Sequence, residues 1–128
     1  MAFARRVFRI AGIYGLIVLF PQYFMESKVG QDYPPPITHP EYFYGFIGTA
    51  LAFQILFLLI SKDPVRYRAA MPIAILEKLV WGIPCVVLYM QHRIALVTLA
   101  FGLVDFFLAV LFFAAYRASR NPSPASRY

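Results

Sequence analysis

The sequence predicts an all-α protein: an integral membrane bundle of four transmembrane helices in up-down order, a single domain over residues 1–128. Three observations predict it. Of the 128 residues, 61% are hydrophobic and only 14% are charged, where an ordinary soluble domain carries about 25%. The apolar residues fall into four blocks, each near the ~20 residues a helix needs to cross a bilayer. The basic residues flank those blocks, so the net charge of +6 points to a membrane rim and to no nucleic-acid partner.

The first span is expected over residues 7–24. Arg5, Arg6 and Arg9 precede the apolar run from Ile10 to Phe20, a layout shared with signal peptides. Pro21, Gln22, Tyr23, Phe24 and Met25 stand where small cleavage-site residues would be needed. The reading is an uncleaved first helix whose last turn Pro21 bends or ends. Residues 26–40 read as a loop, with Pro34, Pro35 and Pro36 favouring extended polyproline geometry.

The second span is expected over residues 40–60. Thr38 or His39 sits near its start, and Glu41 complements the dipole of its first turn. Asp63 and Pro64 read as an N-cap and first helical position, giving a short helical turn from Asp63 to Ala70. The third span, residues 71–91, holds Pro84, which lacks an amide and predicts a bend. Gln91, His92 and Arg93 leave only a very short connection to a fourth span at residues 94–116. The tail, residues 117–128, with Asn121, Pro122, Ser123 and Pro124, reads as a polar, poorly structured end.

Orientation follows from Lys and Arg placement. Four spans put both termini on one side. That side carries nine cations, Arg5, Arg6, Arg9, Lys62, Arg66, Arg68, Arg117, Arg120 and Arg127, against Lys28 and Arg93 on the other. Both termini are therefore expected in the cytoplasm. Tyr and Phe cluster near the span ends, as interfacial belts do.

Between helices already in lipid, close approach at small residues drives packing. Each span offers such a stripe: Ala11 and Gly15; Glu41, Gly45, Gly48, Thr49 and Ala52; Lys78, Gly82 and Cys85; Thr98, Gly102, Asp105 and Ala109. These faces, with Gly45, Gly48, Gly82 and Gly102 as the close-packing positions, are expected to turn inward, leaving Phe, Leu and Ile to the lipid. Gln54 lies about 200° around its helix from Ala52 and is expected to address a different neighbour, such as another chain.

Glu77, Lys78 and Asp105 are the ionisable residues at membrane depth. Asp105 stands about twelve residues, or ~18 Å, from the end of its helix. Charges there normally pair or face water, and a Lys78–Asp105 pair across the last two helices is expected. Glu77 and Lys78 point about 100° apart. The cluster reads as a structural ion pair fixing helix register, as a Lys78 that snorkels to the inner headgroups, or as a polar pocket for a lipid-like ligand or a proton.

The layout resembles that of small bacterial DoxX-like four-helix membrane proteins, in length, in the Arg-marked start of helix one and in the Pro/Arg turn KDPVRYRAAM, Lys62 to Met71. It is similar in a second way to EXPERA-type sterol-binding and sterol-isomerising proteins, which also place acidic residues within a small bundle. The likeness is one of pattern, and no functional residue is carried over. A bacterial inner-membrane location is expected.

Ser-His-Asp, Cys-His and glycine-rich phosphate motifs are missing from the sequence, and His39 and His92 stand alone as metal-type donors. No metal or cofactor is expected beyond a bound lipid. Two functions fit. The first is a non-catalytic accessory or structural subunit of a larger membrane complex, or a homo-oligomer. The second is an intramembrane binder, or isomerase-type enzyme, for a lipid, sterol or quinone using Glu77, Lys78 and Asp105. A cavity reaching those three residues favours the second; a tight, dry bundle favours the first.

Overall fold

Helix α1 runs from Ala2 to Leu19 and passes at Phe20–Phe24 into a 3-10 turn that contains Pro21. Four further helices follow among the described residues: α2 (Glu26–Asp32), α3 (Pro40–Lys62), α4 (Met71–Met90) and α5 (Leu96–Ala118). This architecture is seen in a computed structural model describing residues 2–120; Asn121, Pro122, Ser123, Pro124 and the rest of the expected tail lie outside the described residues. The described residues are helical without strands. Four segments, Ala2–Phe24, Pro40–Lys62, Arg68–Met90 and Leu96–Ala118, are each 23 residues long and apolar enough to cross a membrane.

The first long connection differs from expectation. Residues 26–32 are helical, not loop. Lys28 and Asp32 pair one turn apart at 3.2 Å, and Gly30 lets the returning chain pass closely: a Cβ there would meet Pro36 Cα at 3.1 Å. After α3, Asp63 does cap a turn, its Oδ1 accepting from the Arg66 amide at 3.2 Å. As expected of a short helical connection, that turn and a three-residue 3-10 segment, Arg68–Ala70, lead straight into α4. Helix α4 stays continuous through Pro84.

The α4–α5 connection is a Schellman closure. His92 adopts φ 59°; its amide donates to Tyr89 O at 2.9 Å and the Arg93 amide to Leu88 O at 2.9 Å. These bonds satisfy carbonyls that a helix end otherwise leaves open.

The packing order is not the chain order. Helix α1 lies along α3, and α4 along α5. The two pairs meet through α1 and α5, whereas α3 and α4, consecutive in sequence, touch sparsely. Small residues set both close pairs. On α1, a Cβ at Gly12 would lie 2.8 Å from Leu58 Cγ on α3. Between α4 and α5, a Cβ at Gly82 would lie 3.2 Å from Gly102 O, and one at Gly102 2.6 Å from Cys85 Cβ. Gly48 sits under the Tyr23 hydroxyl, at 2.9 Å from a Cβ placed there.

The buried core lies at the end of the bundle where α1 begins and α5 ends. Phe8, Phe57 and Phe112 are its centre, each fully buried. Phe8 stacks on Phe112 at 4.3 Å, and Phe57 meets Phe112 edge-on at 5.0 Å. Phe3, Phe20, Phe24, Phe101, Phe107 and Phe113 are exposed, as expected of lipid-facing residues, and the expectation fails only for this trio. Three helices converge at this point, and small side chains alone would leave a void between them. Arginines close the same end. Arg5 Nη1 donates to Lys62 O at 2.9 Å, and Arg68 Nε to Tyr116 O at 3.1 Å, so each caps a helix terminus. Arg68 also lies 3.8 Å from the centroid of the Tyr116 ring.

Two further expectations change. The face Glu41, Gly45, Thr49 and Ala52 of α3 is exposed, and a Cβ at Gly45 would meet nothing within 4 Å. The buried face of α3 is Ile47, Ala50, Gln54, Phe57 and Ser61, because α3 turns toward α1 and away from α4. Gln54 is thus an interior residue of this chain, 1% exposed. It rests on Gly15 of α1, where the missing side chain makes room for its carboxamide.

Candidate functional site: a lateral groove beside a charged cluster

Helix α4 places its small and charged residues by simple periodicity. Met71, Ala74, Lys78, Gly82 and Cys85 recur every three or four residues and are buried. Glu77 is rotated about 100° from Lys78, toward α3. On α5, Asp105 is one turn beyond Gly102, where a Cβ would lie 2.6 Å from Cys85 Cβ of α4.

Lys78 stands between the two carboxylates. Its Nζ lies 3.6 Å from Asp105 Oδ1 and 3.6 Å from Glu77 Oε2, with side-chain exposures of 4%, 13% and 15% for Lys78, Asp105 and Glu77. The structure therefore brings all three sequence-identified residues together, and Lys78 reaches both acids although Glu77 and Asp105 diverge. Lys78 Nζ also lies 5.1 Å from the Phe57 ring centroid, within the range of cation–π attraction. Both ion-pair distances exceed the roughly 2.7–3.2 Å of an ordinary N–H···O bond. Glu77 Oε2 is buried and has no hydrogen-bond partner. Unpaired charge at such depth costs about 2.5–3.5 kcal/mol on insertion scales, so one ammonium against two carboxylates is an unbalanced arrangement.

Beside the cluster, the gap between α3 and α4 is a groove of about 670 Å³. Its α3 wall is the exposed stripe, with Gly45, Phe46, Thr49 and Phe53 below Glu41 and Tyr42 at one mouth. Its α4 wall is Ile73, Leu76, Glu77, Val80 and Trp81. Phe46 and Trp81 face each other across it, ring centroids 5.4 Å apart. The sequence contains the signal for this wall, since Gly45 and Thr49 are small. It reads as a packing face because a small stripe does not say whether a helix or a groove lies opposite.

The volume falls within the range of about 300–1,000 Å³ seen for small-molecule pockets. The walls are apolar and aromatic, with the Glu77 carboxylate as the ionisable group of the inner part. Among the described residues, no group of three His, Cys, Asp or Glu side chains is placed to hold a metal ion. Of the expected close-packing glycines, Gly82 and Gly102 lie between α4 and α5, Gly48 lies under Tyr23, and Gly45 lines the groove.

No family model, curated protein or solved structure matches the chain. The fold and site define a class only: a four-helix bundle whose helices are apolar enough to span a membrane, with a buried ionic cluster at the edge of a lateral groove.

Proposed function

We propose that this chain is a non-catalytic intramembrane binding protein for a hydrophobic small molecule that enters from lipid into the α3–α4 groove. The observation that carries the reading is the coincidence of groove and charge: a 670 Å³ apolar cleft lined by Glu77, which belongs to the buried cluster with Lys78 and Asp105. A purely structural ion pair needs no such cleft beside it. The proposal includes a bacterial inner-membrane location with both termini in the cytoplasm, supported by the uneven distribution of Lys and Arg between the two ends of the bundle.

Purification in mild detergent, with native mass spectrometry of the product, tests it. The expected result is a protein carrying a small molecule of lipid, sterol or quinone size. Gly45→Phe should lose that mass while folding normally, because a side chain at Gly45 projects into open groove. Recovery of a partner subunit or a homo-oligomer, with no small molecule, would instead favour an accessory role with the groove as the seat of a neighbouring helix.

A further inference from the structure

We propose that the groove takes an amphiphile with a protonated amine head, its ammonium seated at Glu77 and its apolar body lying along α3 and α4 toward lipid. The inference rests on the reading of the groove as a small-molecule site and names the ligand class.

Charge balance comes first. Lys78 is the single ammonium of the cluster and is shared between Glu77 and Asp105 at equal distances of 3.6 Å. With both acids ionised, one formal negative charge is left over. It falls to Glu77 to receive a second cation, because Glu77 lines the groove whereas Asp105 does not. The geometry agrees: Glu77 Oε2 is buried against Lys78 at 3.6 Å, while the side chain keeps 15% exposure where it lines the groove, and an ammonium brings three donors on a compact centre to that open side.

The walls select in the same direction. Trp81 stands one turn beyond Glu77 on α4 and lines the groove with Phe46 and Tyr42. Aromatic faces within about 6 Å attract ammonium groups, as the Phe57 ring does for Lys78 in this protein. An anionic head would face the Glu77 carboxylate at close range, with Glu41 at the mouth. A neutral alcohol would hydrogen-bond to Glu77 but leave the excess charge in place. The apolar lengths of wall on either side of Glu77, Phe53, Ile73 and Leu76 toward one end and Val80 and Trp81 toward the other, suit a long or polycyclic hydrocarbon body.

Trp81 is the sole tryptophan of the chain, so its fluorescence reports on the groove directly. The protein is placed in nanodiscs of zwitterionic phosphatidylcholine and titrated with 9,10-dibromo-octadecylamine, the matching dibromo alcohol and the matching dibromo acid. Bromine quenches the indole on contact. The expected result is half-maximal quenching by the amine at a mole fraction about tenfold below that of the alcohol, with the acid no better than the alcohol. Glu77→Gln should abolish the preference for the amine, and Gly45→Phe should remove the saturable quenching. Equal quenching by amine and alcohol, both blocked by Gly45→Phe, overturns the amine assignment and leaves the groove reading standing. Quenching by every probe that Gly45→Phe does not change overturns the groove reading as well. Should Glu77→Gln fail to assemble, competition in the unaltered protein decides. Unbrominated octadecylamine must displace the brominated amine where unbrominated octadecanol does not; equal displacement by the two sinks the assignment.

Discussion

His92 is the non-glycine residue of the described chain with a positive φ, 59°. An L-residue in the left-handed region costs roughly 1–2 kcal/mol, which glycine avoids. The two hydrogen bonds closing α4 hold it there. His92→Gly should therefore raise stability by about 1 kcal/mol, read as a higher unfolding temperature in detergent, with the ligand properties unchanged because His92 lies outside the groove lining. Gly15 presents the opposite case. Its missing side chain is the space that the Gln54 carboxamide occupies. The Gln54 amide donates to Ala50 O at 2.9 Å, while Oε1 has no partner. Gly15→Ala should destabilise by about 1–3 kcal/mol through overpacking, and Gln54→Ala in the same chain should recover much of that loss. Additive losses in thermal unfolding of the single and double variants would show that the two residues do not share the space.

Among the elements, the α4–α5 pair carries the chemistry. Its tight seam at Gly82, Cys85 and Gly102 sets Lys78 beside Asp105, and the rotation of Glu77 sets the third charge toward α3. Lys78→Met leaves two carboxylates without a cation, and breaking a buried pair typically costs about 3–5 kcal/mol. Asp105→Leu should cost less, because Lys78 keeps Glu77 at 3.6 Å. The double variant should be more stable than the sum of the two losses predicts, and a double-mutant cycle of unfolding free energies measures that coupling. Strict additivity would mean that Lys78 and Asp105 do not stabilise each other. The spans are legible in the sequence because hydropathy is a local property, and so is the Lys78, Gly82, Cys85 face, because its period is helical. The partner of each face is not legible. The stripe at Gly45 and Thr49 looks like the one at Gly82, yet one borders a groove and the other a helix. Gln54 looks displaced only when the small stripe of α3 is taken for its packing face, which lies on the other side of the helix. The phenyl trio of Phe8, Phe57 and Phe112 joins three helices, and no pattern within one helix announces it.

At the scale of the whole molecule, the bundle is packed at one end and parted between α3 and α4 toward the other. The packed end holds the phenyl core, the Arg5 and Arg68 caps and the described cations Arg6, Arg9, Lys62, Arg66, Arg117 and Arg120. The far end has Lys28 and Arg93 with Glu26, Asp32 and Glu41, and Glu26 is tied to α3 by the Tyr44 hydroxyl at 2.9 Å. Cations near span ends are retained on the cytoplasmic side during insertion. The basic, packed end should therefore face the cytoplasm, and the mouth of the groove at Glu41 and Tyr42 should open near the outer leaflet. Single cysteines at exposed positions test this. Ser27→Cys on α2 should react with a membrane-impermeant maleimide in intact cells, whereas Ala118→Cys at the end of α5 should react only after permeabilisation. The native Cys85 is 1% exposed and adds little background. Labelling of Ala118→Cys in intact cells, with Ser27→Cys protected, would invert the protein and place the groove mouth on the cytoplasmic side. Labelling of both from outside would mean that the spans are not four in number, because α3, α4 and α5 all lie between Ser27 and Ala118, and an odd number of crossings puts the two positions on opposite sides.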